Sequence, residues 1–299
     1  MTLIRSNETA RWWTSCALAW MFWVHSLTAA GFAIQEQSVS GLGTSFAGGA
    51  AMSSDASSLY HNPAGMLNLG GSPVLNTGLH AIIPSADFTN NGTVTGYIPG
   101  VSPGVPTQGS NSGTSENAYV PNFYYVHPLN PDIAFGVGLF APFGLVTDYD
   151  DGWVGRYVAL KSDLKTVNGN LAMAYRYNEN WTLGLGVSIV HAEAELSNAV
   201  NMGLIYLNLF NLGQIPQTPE TIALAGDAQA NLGSSKYDGA LVLTGDDYGF
   251  GGNIGIQYSD VTAEGTGSRF GLHYRSAVQT ALKGVSDFTV PTSLNPIMG

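Results

Sequence analysis

Hydrophobic and polar residues alternate along several stretches of the chain after position 118. In 166–177 and 181–189 the apolar residues take the odd positions, and polar or small residues take the even ones. Segments 250–258 and 270–279 alternate in a similar way. A period of two is typical of β-strands with one apolar and one polar face. The pattern predicts an all-β protein of about seven antiparallel strands between Val74 and Val290, with Leu185 on the apolar face and Asn170 on the polar one.

The connections between the predicted strands are alternately short and long. We predict short turns near 127–132, 178–180 and 259–268, and long loops near 87–117, 148–163 and 198–236. Aromatic residues such as Tyr177 and Trp181 flank the short turns. A soluble sandwich also alternates, because its apolar faces meet another sheet. The asymmetry of the connections and the aromatic girdle instead indicate a transmembrane antiparallel β-barrel, whose apolar face meets lipid.

Composition supports a chain that meets lipid without membrane helices. Hydrophobic residues make up 44% of the chain and charged residues only 10%, whereas soluble domains carry roughly 25% charged residues. After the N-terminus, no apolar stretch reaches the roughly 20 residues of a spanning helix. Because lipid offers the backbone no hydrogen bonds, a closed barrel is the remaining way to cross. The net charge of −11 argues against nucleic acid as a partner, because phosphate binding requires a basic surface.

Residues 1–30 are typical of a secretory signal peptide. Arg5 and Arg11 form its basic region, an apolar run follows at 17–24, and small residues precede position 31. Cys16 is the single cysteine and lies inside this segment, so we expect no disulfide in the mature chain. Residues 31–71 do not alternate, and they show short stretches of helical character around 38–50 and 56–67. They suit either a periplasmic appendage or a plug inside the barrel.

Several short motifs are more specific than the alternation. They are the segment 31–38 (Gly-Phe-Ala-Ile-Gln-Glu-Gln-Ser), Asn62-Pro63-Ala64-Gly65, Val120-Pro121-Asn122, Ala141-Pro142-Phe143-Gly144-Leu145, Trp153-Val154-Gly155-Arg156-Tyr157 and Tyr274-Arg275-Ser276. Together these motifs resemble the FadL/TodX family, outer-membrane transporters for long-chain fatty acids and aromatic hydrocarbons. The resemblance covers essentially the whole mature chain.

The resemblance implies a barrel of about fourteen strands, plugged by a small N-terminal hatch, in the outer membrane of a Gram-negative bacterium. Residues 1–30 would be the signal peptide, 31–71 the hatch, and 72–299 roughly the first half of the wall. Closed bacterial barrels have an even number of strands, so we expect a chain truncated at its C-terminus. The expected function is passive uptake of hydrophobic compounds, above all long-chain fatty acids, by a monomer without a cofactor.

The resemblance also assigns roles to residues near the mature N-terminus. Gly31 and Phe32 would reach toward the ligand pocket, and the alternative is a frayed terminus. Asn62, Pro63 and Ala64 would belong to the gating hatch. They also suit the plain end of a short helix, because the residue before a proline avoids helical geometry.

Pro142 and Gly144 lie two positions apart in the predicted third strand. Proline removes a hydrogen bond from the ladder and glycine weakens strand packing, so we predict a bulge or kink there. The resemblance implies that ligand leaves sideways through this kink into lipid.

Arg156 belongs to a local basic cluster with Lys161 and Lys165. A fatty-acid carboxylate in apolar surroundings needs a cation or hydrogen-bond donors, which makes Arg156 a candidate ligand contact. The alternatives are pairing with nearby aspartates in solvated loops, or binding of lipopolysaccharide phosphates. For Lys161 and Lys165 we favour these alternatives.

The loop 198–232 is unusually apolar for an extracellular segment. Leu204, Leu207 and Phe210 are among its large side chains, and an exposed apolar patch usually marks a binding surface. We predict a groove that captures ligand. The alternative is that these side chains pack short helices against each other.

Other functions are separable on the sequence. A lipid hydrolase of the outer membrane would need a nucleophile, a base and an orienting group at one place, but no histidine of the mature chain stands beside a serine in a recognisable pairing. A general porin needs an open polar lumen without a hatch. We therefore predict a transporter in contact with outer-membrane lipid and lipopolysaccharide, and not an enzyme. Aromatic hydrocarbons remain the alternative ligand.

Overall fold

A computed structural model describes residues 33–51, 53–98, 102–114, 116–262 and 265–294. Its strands are β1 (Val74–Ile82), β2 (Ala86–Asp87), β3 (Val94–Ile98), β4 (Ser102–Pro106), β5 (Gly113–Thr114), β6 (Ala118–Asn130), β7 (Ile133–Phe140), β8 (Gly144–Asp148), β9 (Lys161–Arg176), β10 (Trp181–Asn201), β11 (Asp238–Ser259), β12 (Arg269–Arg275) and β13 (Lys283–Thr289). Within the described residues, nine of them form one antiparallel sheet in the order β1-β6-β7-β9-β10-β11-β12. In this sheet β7 and β8 lie one after the other along β9. In the same way, β12 and β13 lie one after the other along β11. The seven positions confirm the predicted number of strands.

Side chains on the sheet follow the alternation in the sequence. On β10 the outer row of apolar residues runs from Trp181 to Ile189, and Leu185 at its centre is 52% exposed. Eight residue steps span about 27 Å along a strand, which fits a tilted strand in an apolar band about 25 Å tall. Asn170 faces inward and is 1% exposed. The transmembrane β-sheet architecture predicted from periodicity is therefore confirmed.

The sheet curls around an interior. Arg275 of β12 lies with its Cζ 5.6 Å from the ring centroid of Phe140, on β7. Four strand spacings of about 4.8 Å separate these positions along the sheet, about 19 Å in a flat sheet. Two side chains close that distance only if the sheet bends toward itself.

The N-terminal segment, residues 34–71, packs against the inner face of this sheet. It contains α1 (Val39–Leu42), α2 (Ser58–His61) and the 3-10 helices Gly49–Ala51 and Pro63–Asn68. Its apolar side chains form one core with those of the wall: Ala56, Leu59 and Met66 with Tyr124, Phe140, Ala172 and Ala174. The helical stretch expected over 38–50 is short because the backbone turns left-handed at Ser45 and Phe46. The segment thus lies against the inner face of the curled sheet, the position expected of a plug.

The long connections carry structure of their own. The loop before β6 holds two small antiparallel hairpins, β2–β5 and β3–β4. The loop between β10 and β11 holds α3 (Met202–Asn211), α4 (Pro219–Ala230) and the 3-10 helix Ser235–Tyr237. In the part of the chain that the structure describes, every helix is too short or too polar to cross a membrane. The predicted signal peptide, with Gly31 and Phe32, lies outside the described residues.

Candidate functional site

Asn62, Pro63 and Ala64 pack directly against the backbone of the wall. The contact lies at Gly184 of β10 and Gly255 of β11, which are register partners. A Cβ added at Gly184 would lie 2.2 Å from the Ala64 nitrogen, and one at Gly255 would overlap the Asn62 side chain. Glycine is therefore required at both positions for the backbone of the N-terminal segment to approach this closely.

The Asn62 side chain links the N-terminal segment to the wall. Its Oδ1 accepts a hydrogen bond from the Ala64 amide at 3.0 Å, which caps the helix that begins at Pro63. Its Nδ2 donates to the carbonyl oxygens of Ala50 at 2.8 Å and Ile256 of β11 at 3.1 Å. Asn62 is fully buried, so its loss would leave buried carbonyl groups without these partners.

We expect Asn62→Ala to lower fatty-acid uptake while leaving the amount of protein in the outer membrane unchanged. The substitution removes the side-chain link between plug and β11, so the plug no longer holds its position in the lumen. Uptake of labelled oleate and quantification in isolated outer membranes measure the two effects. Asn178→Ala is the matched control, because the Asn178 Oδ1 accepts from the Asn180 and Trp181 amides in the turn before β10, away from the plug. Normal uptake by Asn62→Ala would reduce the motif to a structural turn.

The third strand position of the sheet, occupied by β7 and then by β8, is interrupted at Pro142 and Gly144. β7 pairs with β9 up to Phe140 opposite Asn168, and β8 resumes with Gly144 opposite Lys165. Three residues, 141–143, therefore face two on β9. The extra residue disrupts the ladder and bends the strand, as in a β-bulge.

The break also opens the wall on its other side. Pairing between β6 and β7 ends at Phe123 opposite Leu139. Among the described residues, β8 pairs with β9 alone, so residues 118–122 of β6 have no strand partner on the side of β8. We call this opening between 118–122 and β8 the lateral gap.

Side chains and the N-terminal segment satisfy the backbone at the break. The Thr166 hydroxyl accepts from the Phe143 amide at 2.9 Å and donates to the Phe143 carbonyl at 2.6 Å. The Gln37 Nε2 donates to the Ala141 carbonyl at 2.8 Å, and the Ile34 amide donates to the Pro142 carbonyl at 3.0 Å. Irregular backbone at membrane depth is tolerated only where protein or water satisfies it.

A cavity of about 530 Å³ lies at the lateral gap. Mostly apolar side chains line it, including Ile34, Tyr119, Phe143, Leu145 and Val167. Its size is in the range of ligand pockets, about 300–1,000 Å³. A larger concavity of about 760 Å³ lies among outward side chains such as Leu171 and Leu185. Because those side chains face lipid, that concavity belongs to the outer surface.

Arg156 is fully buried among the long loops, and each of its five N–H groups has an acceptor. Its Nε donates to the Asp238 carboxylate at 2.5 Å. Its Nη atoms donate to the carbonyls of Gln108, Trp153 and Gly233 and to the Tyr157 hydroxyl. Arg156 thus joins the loop before β6, the loop before β9 and the end of the loop before β11. Ligand contact by Arg156 stays a prediction, and it would require one of these bonds to be exchanged.

The Tyr157 hydroxyl donates to the second oxygen of Asp238 at 2.6 Å. The pKa of Tyr157 is raised well above its ordinary value, mainly by burial and secondly by this hydrogen bond. The phenol therefore stays neutral and keeps its proton on the bond to Asp238. The other two members of the predicted basic cluster pair with different carboxylates. Lys161 pairs with Glu195 at 3.2 Å, and Lys165 pairs with Asp163 at 2.7 Å.

The apolar loop forms a helix pair with its own core. Leu207 is 6% exposed and packs inside the core shared by α3 and α4. Leu204 lies against Gly96 of β3, and Phe210 packs partly buried at the edge of the core. Ile205 of α3 and Leu212, just after it, remain exposed. The helix-packing alternative accounts for Leu207, and a capture surface, still a prediction, would use Leu204, Phe210 and their exposed neighbours.

The sequence alone does not mark the residues that complete the strand break. The alternation places Thr166 on the polar face, and Gln37 belongs only to a motif. No local pattern marks either residue, because Gln37 lies 104 positions from its partner Ala141. The inward position of Thr166, directly opposite a predicted kink, was the one usable signal.

Comparisons with known proteins agree with this arrangement. A family model described as "Outer membrane protein transport protein (OMPP1/FadL/TodX)" matches residues 21–298. The chain is 31% identical, over 90% of its length, to a long-chain fatty acid transport protein of Escherichia coli O6:H1. It is 33% identical, over 84% of its length, to outer membrane protein P1 of Haemophilus influenzae. It covers 55% and 54% of these two proteins, so the chain spans about half the length of the curated relatives it matches.

Two solved structures share the fold. A Pseudomonas aeruginosa FadL homologue superposes with a TM-score of 0.64 at 21% identity, covering 89% of this chain and 57% of that one. The Ralstonia pickettii toluene transporter TbuX gives a TM-score of 0.52 at 19% identity, covering 81% and 58%. At these identities the likeness shows the fold alone.

Proposed function

Because this chain belongs to the outer membrane protein transport protein family (OMPP1/FadL/TodX), we propose that it takes up hydrophobic compounds across the outer membrane. Long-chain fatty acids are the preferred ligand, in keeping with the name of the Escherichia coli relative. Transport is passive, without catalysis or cofactor. The observation that carries the proposal is the lateral gap, an apolar cavity at a break in the wall where the carbonyl groups of residues 141–143 are hydrogen-bonded.

A lateral route suits a hydrophobic ligand energetically. A C16 chain that left through the periplasmic end would expose about fifteen methylenes at about 0.8 kcal/mol each, about 12 kcal/mol in all. Passage through the wall into lipid avoids most of this cost. Thr166 supports the route, because it keeps the Phe143 backbone hydrogen-bonded whether or not the gap is filled.

The N-terminal segment acts in this proposal as a hatch. Its Ile34 and Gln37 bond the carbonyls of Pro142 and Ala141, and the Ile34 side chain lines the cavity. Ligand that enters the gap must pass these residues. The hatch thereby controls the gap from inside the barrel.

A charged row on the outer face suits contact with lipopolysaccharide. His191, Glu193 and Glu195 follow the apolar row of β10 on the same face, and Lys161 and Lys165 lie beside them on β9. The two lysines would bind lipopolysaccharide phosphates through charge-assisted hydrogen bonds, in exchange for their pairs with Glu195 and Asp163. A monomer is sufficient for the proposed route.

Gly144→Phe tests the proposal. A Cβ at Gly144 would lie 3.0 Å from the Ile34 Cδ1, so a phenyl ring would fill the cavity. We expect uptake of labelled oleate to fall at least tenfold, with heat-modifiable gel mobility showing a folded barrel. The host must lack its own fatty-acid transporter and carry the full-length protein.

Gly169→Phe is the matched control. An added Cβ there meets only the Leu139 side chain, at 3.8 Å, so the ring extends from the wall without reaching the gap. Wild-type oleate uptake by folded Gly144→Phe would exclude the lateral route. Loss of toluene uptake with normal oleate uptake would instead favour aromatic hydrocarbons as the ligand of this gap.

A further inference from the structure

Unpaired polar atoms are concentrated where α2 of the N-terminal segment meets the wall. Of the eight buried side-chain nitrogen and oxygen atoms without a hydrogen-bond partner in the described part of the chain, four lie here. They are the Ser58 Oγ and the His61 Nε2 on α2, and the Oδ1 atoms of Asn168 and Asn170 on β9. Native proteins contain few such atoms, because each one costs free energy. One contact thus carries half of them.

Two apolar contacts place α2 directly over the two asparagines. Their register partners on β7 are Phe140 and Gly138, respectively. The Tyr60 ring packs edge-on against the Phe140 ring, with centroids 4.9 Å apart. A Cβ added at Gly138 would lie 3.0 Å from the Leu59 Cδ2. The side chains of α2 that cover this part of the wall are therefore unable to donate hydrogen bonds to the amide oxygens.

The two amide oxygens also lack any other partner. Asn168 and Asn170 are 2% and 1% exposed, and water cannot reach either Oδ1 atom. A group outside the described residues cannot reach them either, because the surrounding atoms already close them off. The Nδ2 atoms donate to the Ser188 hydroxyl at 3.4 and 2.8 Å. Exchanging oxygen and nitrogen in either amide would only leave an unpaired nitrogen at the same place.

The neighbouring part of the N-terminal segment is bonded to the wall much more completely. Asn62 donates to a carbonyl of β11 at 3.1 Å, and Asn68 donates to a side chain of β11 at 2.5 Å. Among the described residues, the wall gives α2 one hydrogen bond, from β12 to the Tyr60 carbonyl at 3.0 Å. The N-terminal segment is therefore held firmly at 62–68 and less firmly at α2.

We propose that the unpaired amide oxygens of Asn168 and Asn170 favour release of α2 from the wall. Each oxygen is unpaired only while α2 is seated, because water bonds to it once α2 moves away. The contacts of Leu59 and Tyr60 hold α2 in place, and the two oxygens weaken that hold. The hatch is then closed at rest but not locked as a fully satisfied core would be. Only the role of this release in uptake rests on the proposed function.

Two substitutions on the wall test the proposal through hydrogen–deuterium exchange at residues 57–62 of the full-length protein in lipid nanodiscs. Asn168→Leu removes the unpaired oxygen, keeps a similar shape and loses one long hydrogen bond. Val190→Thr keeps Asn168 and places a hydroxyl donor directly opposite it, because Val190 is its register partner. Exchange at α2 reports its local opening. We expect both variants to slow this exchange about fivefold or more.

Thr182→Val is the matched control. Thr182 is 2% exposed and faces inward on β10, and its hydroxyl makes one long hydrogen bond, to the Gln257 carbonyl at 3.5 Å. Its side chain has no unpaired atom, so exchange at α2 should change less than about twofold. Heat-modifiable gel mobility shows that each variant is folded. Unchanged or faster exchange in Asn168→Leu and Val190→Thr would overturn the proposal.

Oleate uptake by the same variants separates this proposal from the proposed function. We expect Asn168→Leu and Val190→Thr to take up oleate more slowly, in proportion to their slower exchange, and Thr182→Val to match the wild type. Slower exchange with wild-type uptake would overturn the role of α2 release in transport. Absence of oleate uptake by the wild-type protein would instead contradict the proposed function, and the exchange comparison would still decide whether the two oxygens favour release.

Discussion

Replacing Arg156 by methionine should lower the free energy of opening of the extracellular loops by about 3–5 kcal/mol. The guanidinium is fully buried and Asp238 is 10% exposed. Removing one partner of a buried ion pair leaves the other charge uncompensated, and here three loop carbonyls also lose their donor. The destabilisation should be concentrated in residues 106–110, 150–160 and 233–238.

Hydrogen–deuterium exchange of the folded barrel measures this effect segment by segment. The double variant Arg156→Met with Asp238→Leu should recover part of the lost stability, because it removes the orphaned carboxylate. Arg156→Lys should fall between the wild type and Arg156→Met, because one ammonium cannot reach five acceptors. A loss below about 1 kcal/mol in Arg156→Met, together with impaired ligand binding, would instead favour the ligand-contact hypothesis.

A lysine at Leu185 should destabilise the barrel by about 2–4 kcal/mol. Leu185 is 52% exposed on the outer face, in the middle of the apolar row of β10, where an ammonium group would be buried in hydrocarbon. Equilibrium folding of the full-length protein into vesicles, titrated with guanidinium chloride, measures the change in free energy of unfolding.

His191→Lys is the control on the same strand and face. It stands beyond the apolar row and 3.6 Å from the Asp246 carboxylate, so a lysine there should cost about 0–1 kcal/mol. The inward position Asn170 would be a poor control, because it is 1% exposed and hydrogen-bonded to Ser188. Equal losses at Leu185 and His191 would contradict the assignment of the outer face to lipid.

The sequence by itself determined which residues face lipid and which face the lumen. A strand has a side-chain period of two, so the alternation around Leu185 and Asn170 assigns faces without any knowledge of neighbours. Pro142 and Gly144 likewise identified the strand break, because their effect on a ladder is local. The family motifs also predicted a plug formed by the N-terminal segment. Its helix α1 is shorter than the helical stretch expected there.

Only the tertiary structure decided which side chains from distant elements contact one another. Arg156 appeared in the sequence as one member of a basic cluster, but three of its five acceptors lie 48 to 82 residues away. Leu207 appeared as part of a binding surface and is the buried core of a helix pair. Arg275 appeared within a family motif, and only the curl of the sheet brings it to Phe140. Such contacts depend on how distant strands and loops are brought together, which periodicity and local propensity do not encode.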